Sequence, residues 1–292
     1  MSDYVVLTDS CSDLGKDIRE KYDIEYARMN IVYDNKELSA SLDWDLYTPQ
    51  ELYGIMRGGT RVTTNQVPVE EFTKIFEKHL KEGKDIVYIG CSSRLSGSVN
   101  TGKVVADEMA EKYPDNKIYV IDSLNSSLGE GLMTLDASIM RSEGKSAKEV
   151  AEYLESNKNK YQQFCAVEDL TYLKRAGRVK ASTAFFGNLF GVKPILVSNK
   201  EGENFALKKV KGRKKSLDEI FDMAKQAIVN PEEQTVAVVH ADCIEDANYL
   251  KDRIEKEMNV KEVYVNYIGP IIGASAGPGT IAIYCRCNEI DV

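Results

Sequence analysis

The sequence predicts an α/β protein built as two α/β domains with a ligand cleft between them. Three observations lead there. Short apolar runs alternate with amphipathic stretches of helical period. Several of those runs are apolar throughout, as strands buried on both faces are. Hydroxyl-rich junctions recur where a strand gives way to a helix, the end of the sheet at which α/β proteins hold ligands. The chain has 292 residues, which suits two domains of ordinary size.

YVVLTD (4–9) reads as the first strand and runs into TDSCSDL (8–14), where Asp9 and Ser10 resemble the start of a helix. VTTNQVP (62–68) places Thr63, Thr64, Asn65 and Gln66 just before a helix over 68–82. That helix carries Val69, Phe72, Ile75, Phe76 and Leu80 on one stripe. DIVYIG (85–90) is the next strand, followed by SSRLSGSVNTG (92–102) and the helical VVADEMAEKY. KIYVID (117–122) ends in DSLNSSLGEG (122–131), and Ser146-x-x-Glu149 forms a capping box opening a further helix.

The polar stretch ESNKNKYQQ (155–163) marks the expected boundary, giving domains 1–160 and 161–292. Strands are expected at 164–169, 193–197, 234–240, 262–269 and 280–285, and the sheets are expected to be largely parallel. Ser216-x-x-Glu219 reads as a second capping box, and Asp242-x-x-Glu245 resembles the same signal. Between 170 and 192, Arg175 and Arg178 precede Phe185, Phe186, Leu189 and Phe190 at helical spacing. An aromatic stripe of this kind is either core or the wall of an apolar pocket. GPIIGASAGPG (269–279) suits close backbone approach or a tight loop.

Composition excludes several classes. Lys plus Arg number 38 and Asp plus Glu 46, a net charge of −8 that disfavours wholesale nucleic-acid binding. The opening MSDYVVLTDS lacks a basic leader, and no run approaches the roughly 20 apolar residues that span a bilayer. A cytoplasmic protein without membrane insertion is expected. Cys11, Cys91, Cys165, Cys243, Cys285 and Cys287 contain no Cys-x-x-Cys, which predicts free thiols. With two histidines and no second cysteine pair, Cys285-x-Cys287 points to no metal site.

The run at 92–98 offers the sharpest choice. Ser96, Gly97 and Ser98 at a helix N-terminus suit a carboxylate or phosphate, since unpaired N–H groups and the positive end of the dipole meet there. The alternative is a serine that merely caps its own helix. Neither a phosphate-binding Gly-x-x-x-x-Gly-Lys-Ser/Thr loop nor Gly-x-Ser-x-Gly is present. His79 lies on the helix of 68–82 as a structural residue, and His240 ends a strand. An enzyme acting on a small phosphorylated or acylated metabolite, with Ser96 as nucleophile and His240 or an Asp as base, is the competing reading.

TDSCSDL, TTNQVP, SSRLSGS, DSLNSSLGEG, LTYLKRAGRV (170–179), KPIL (193–196), GRKK (212–215) and GPIIGASAGPG together resemble the DegV family of bacterial fatty-acid-binding proteins. They occur in family order across nearly the whole chain. The resemblance implies the DegV fold, with a long-chain fatty acid between the domains and no cofactor. It implies a carboxylate held by Thr64 and Ser96, with Asn65, Gly97, Ser275, Arg178 and Phe186 around the ligand. It further implies a non-catalytic subunit that presents the fatty acid to an ATP-binding kinase for conversion to acyl-phosphate in phospholipid synthesis, with Arg213 facing that partner. Ser275 stands where the family usually has histidine, Asn65 and Val67 depart from the usual Thr-Ser-Gln-Pro, and Ala176 stands where Gly-Gly-Arg is common.

Overall fold

The computed structural model describes residues 3–182, 185 and 191–290. In chain order the first half runs β1 (Tyr4–Asp9), α1 (Lys16–Lys21), β2 (Ile24–Ala27), β3 (Asn30–Tyr33), β4 (Lys36–Ser39), α2 (Pro49–Arg57), β5 (Thr63–Asn65), α3 (Val69–Leu80), β6 (Asp85–Gly90), α4 (Ser98–Lys112), β7 (Ile118–Asp122), α5 (Leu128–Ser142) and α6 (Ala147–Asn157). The second half continues with β8 (Tyr161–Ala166), α7 (Thr171–Ala176), β9 (Val192–Ser198), β10 (Asn204–Lys211), α8 (Arg213–Ala227), β11 (Thr235–His240), α9 (Ile244–Glu257), β12 (Glu262–Tyr267), α10 (Pro270–Ala276) and β13 (Ile281–Arg286).

The first half holds a parallel sheet in the order β2-β1-β6-β7. β1 and β6 are buried along their whole length, as central strands covered on both faces must be. A small antiparallel sheet, β4-β3-β5, sits beside it. Its strands have only three or four residues each and were not legible as apolar runs.

The second sheet corrects the expectation of largely parallel pairing. Its order is β10-β9-β8-β13-β11-β12, and only β11–β12 is parallel. One cause is local: β9 and β10 are joined by a tight turn in which Asn199 N–H bonds Glu203 O at 3.0 Å, and a turn that short can only return antiparallel. β10 was missed because its lysine-rich NFALKKVK reads as a charged surface run. It is an edge strand, where lysines are favoured because they discourage pairing with another chain. β8 starts three residues before the expected 164, so Tyr161, Gln162 and Gln163 belong to the sheet rather than to a linker.

Helix starts also differ. Ser146 does form the capping box of α6, accepting from Glu149 N–H at 3.3 Å while its own N–H donates to the Glu149 carboxylate at 2.9 Å. Ser216 does not open a helix. α8 begins at Arg213, and the Ser216 hydroxyl, one turn in, donates to Arg213 O at 2.7 Å. Asp242 is not the cap of α9 either; Cys243 precedes that helix, and Asp242 pairs with Arg57.

The two faces of the second sheet pack differently. Phe164, Ala166, Ile195, Val197, Ile281 and Ile283 join Leu217, Phe221, Leu250 and Ile254 of α8 and α9 in one core. The alternate residues Cys165, Leu196, Ala282 and Tyr284 point the other way, into a core shared with β1, β6 and α5 of the first half. The site is built on that shared face. No described helix is long and apolar enough to cross a membrane.

Candidate functional site

A cavity of about 440 Å³ opens between the two halves, within the usual range for small-molecule sites. The inward face of the second sheet supplies Gln163, Cys165, Leu196, Ala282 and Tyr284. α10 and the residues before it supply Ile268, Ile271, Ile272 and Ser275. The first half adds Thr64 and Asn65 from β5, Gln66 just after it, Leu95, Ser96 and Gly97 ahead of α4, and Cys11 and Cys91 after β1 and β6. Six of the seven ligand residues expected from sequence therefore line one space: Thr64, Asn65, Ser96, Gly97, Arg178 and Ser275. Phe186 lies outside the described residues, as does most of the aromatic run around it.

The strand-end hydroxyls do not occupy the N-cap positions of α1, α3 or α4, although Ser96 Oγ takes the N–H of Ser98, the first residue of α4. α4 is preceded by Gly97, α3 by Pro68, α5 by Ser127 and α1 by Gly15, and none of the four makes a side-chain cap hydrogen bond. They tie loops together or face the cavity instead. Ser98 Oγ accepts from Val67 N–H at 3.1 Å, fixing the β5–α3 turn against the start of α4. Ser92 donates to Gly202 O at 2.8 Å, linking the same loop to the β9–β10 turn of the other half. Gly202 has φ +82°, and a Cβ there would lie 2.4 Å from Ser92 Oγ, so glycine is needed on both counts. Ser96 Oγ lies 3.0 Å from Ser98 Oγ and accepts from Ser98 N–H at 3.2 Å, which leaves further hydrogen-bonding capacity toward the cavity.

The remaining residues divide by what already holds them. Thr64, on β5 opposite Ile31, makes no side-chain hydrogen bond among the described residues. Asn65 is tethered: its amide donates to Glu37 at 2.9 Å, which braces β5, while the residue still lines the cavity. Gly97 makes room for Gln66, whose Oε1 would sit 1.9 Å from an added Cβ and whose amide bonds Thr101 at 2.7 Å. Arg178 donates through Nε to Leu95 O at 2.6 Å and through a second nitrogen to Ala176 O. Those bonds aim the guanidinium at the Ser96 loop while leaving N–H groups over. Thr64, Arg178 and Ser275 also line a smaller adjoining cavity of about 160 Å³ with Arg61 and Arg175.

Ser126, within DSLNSSLGEG but not among the expected site residues, is buried and lines the same cavity as Tyr284, whose hydroxyl donates to Gln163 Oε1 at 3.2 Å. Arg213 stands apart from this space. It lines an open groove with Arg57, Glu168 and Asp242, bonds Asp246 at 2.8 Å and lies 3.7 Å from Glu168. His240 is not brought to Ser96. It is outside the cavity lining, accepts from Cys243 N–H at 3.2 Å and packs on the Tyr267 ring, and burial pulls its imidazole down to about 4. His79 is buried on α3 beside Glu25, as a structural residue.

Comparison with known proteins bears on family and fold. A family model described as an uncharacterised protein of the DegV family matches residues 3–286. A DegV domain-containing protein of Clostridium perfringens is 39% identical over 284 residues, covering 97% of each chain. Among solved structures, a DegV family protein from Thermus thermophilus described for its fatty acid binding matches with a TM-score of 0.88 at 27% identity, over 98% of this chain and 100% of that one. DegV of Bacillus subtilis, a fatty acid binding protein, matches with a TM-score of 0.83 at 26% identity and the same coverage.

Proposed function

The chain belongs to the DegV family, and on that premise we propose that it binds one long-chain fatty acid in the cavity between its halves. The carboxylate meets Thr64, Ser96, Ser275 and Arg178, and the acyl chain lies against the apolar wall. One observation carries this reading. Among the described residues the cavity lining holds a single cation, Arg178, and no acid, in a chain of net charge −8. A surface with one positive charge, several neutral hydroxyls and an apolar remainder matches an amphiphile with one anionic head. The fatty acid binding of the Thermus thermophilus and Bacillus subtilis relatives supports it. The test is titration of lipid-stripped protein with oleate: uptake of one equivalent is expected, and no saturable uptake of oleate or any other long-chain acid contradicts the reading.

The chain then acts as a cytoplasmic carrier rather than an enzyme, delivering the acid to a separate ATP-binding kinase that converts it to acyl-phosphate for phospholipid synthesis. Arg213, in its separate groove with Arg57, Glu168 and Asp242, faces that partner in this account. Loaded protein mixed with such a kinase and ATP yields acyl-phosphate, more slowly in Arg213→Ala. Equal yield with free oleate and no carrier counts against the handover.

A further inference from the structure

We propose that Cys11, Cys91 and Glu130 form a buried site for a thiophilic d10 cation, zinc(II) or copper(I), on the wall of the cavity. The topology creates the juxtaposition. β1 and β6 are parallel neighbours, so the residues just past their carboxyl ends, Cys11 and Cys91, come together, and the first turn of α5 brings Glu130 over them. Both sulfurs and a Glu130 carboxylate oxygen lie within 4.8 Å of one another, and all three residues are buried.

The cluster is held in position from behind. Asp9 Oδ1 accepts from Cys11 N–H at 2.8 Å. Its Oδ2 accepts from Cys91 N–H at 3.2 Å and from the Tyr88 hydroxyl at 2.8 Å. One carboxylate therefore fixes both cysteine backbones, as residues behind metal ligands do. Glu130 differs from Asp9. Its Oε1 accepts from the Thr8 hydroxyl at 2.9 Å, but its buried Oε2 has no hydrogen-bond partner. An uncompensated buried carboxylate oxygen is costly and calls for an explanation, and a cation between it and the two sulfurs supplies one. Met29 Sδ, 3.4 Å from Cys11 Sγ, adds a thioether within reach. Thiolate and thioether donors select zinc and copper(I).

A tetrahedral zinc with zinc–sulfur bonds of about 2.3 Å spaces its sulfurs by about 3.8 Å. Donors at most 4.8 Å apart close to that spacing by side-chain rotation. On binding, two S–H bonds are replaced by two metal–sulfur bonds, the Glu130 O–H, which burial favours in the empty site, is replaced by a metal–oxygen bond, and the protons leave to solvent. The proposal does not rest on the fatty-acid reading, although Cys11, Cys91 and Met29 line the same cavity.

The test uses reduced full-length protein, stripped with chelator and equilibrated with zinc, or with copper(I) buffered by a competing chelator. Elemental analysis should find one ion per chain. Cadmium in zinc's place should give thiolate-to-cadmium charge-transfer absorption. Cys11→Ser and Cys91→Ser should each lose about tenfold or more in affinity, as should Asp9→Asn, which acts by positioning. Glu130→Gln should weaken zinc more than copper(I), Met29→Leu the reverse, and Cys165→Ser should leave both unchanged. Glu130→Gln keeps the shape of the buried side chain, so it remains informative where a cysteine variant fails to fold, as circular dichroism will show. Wild-type protein that retains neither ion, a folded Cys11/Cys91 double variant that retains them as well as wild type, or bound cadmium without charge-transfer absorption overturns the site.

Discussion

Ser96 and Arg178 show how much of the site individual residues reveal. Both were legible because their motifs are short and in family order, and the structure adds what holds each one. Ser96 is braced by Ser98, and Arg178 by Leu95 O, so both are oriented before a ligand arrives. Replacing Ser96 or Thr64 by alanine should weaken oleate binding by ~1.5–3 kcal/mol, the usual worth of a hydrogen bond to a charged group, or about 10–150-fold in Kd. Arg178→Gln should cost a similar amount and also flatten the salt dependence of binding, because it removes the one lining charge. Calorimetric titrations at two salt concentrations would measure both effects; unchanged Kd in all three variants contradicts the carboxylate placement. What the sequence did not reveal is the tether of Asn65, because Glu37, the residue that takes its amide, lies 28 positions away on a strand too short to predict.

At the scale of elements, the strands that position the cavity were legible where they are apolar throughout, as β1, β6 and β11 are. The four short strands β2 to β5 and the lysine-rich β10 were not, since edge and hairpin strands carry little apolar signal. The periodicity of two within β13 has a direct consequence. Ala282 lines the cavity, whereas its neighbour Ile283 packs under α8 and α9. Ala282→Phe should therefore block oleate uptake with little loss of thermal stability. Ile283→Ala should cost about 2–5 kcal/mol of stability and leave the affinity of the folded protein intact. Urea denaturation and oleate titration on both variants test this; the reverse pattern would mean that the sheet faces are wrongly assigned.

For the whole molecule, the link between halves matters most, and sequence reading could not supply it because its partners are far apart in the chain. Asp13 accepts from Gly269 N–H at the start of α10 at 2.9 Å and from the Ser127 hydroxyl at 2.6 Å. Burial, reinforced by nearby Asp9, pushes its carboxyl up to about 8. A folded-state value above the unfolded one means that the native state binds the extra proton. The contribution is full below the ordinary carboxylate range and is lost as pH rises through about 8. Thermal melts from pH 4 to 9 should show this decline in wild type and a flatter profile in Asp13→Asn; identical profiles would show that Asp13 does not titrate in this way. The central claim, a cavity between the halves built for one fatty acid, is tested most directly by the mass of protein purified from a bacterial host, native against denatured, with any released molecule identified. The account predicts a long-chain fatty acid near one per chain. Protein that carries no lipid, and takes up none when fatty acids are added, would contradict it.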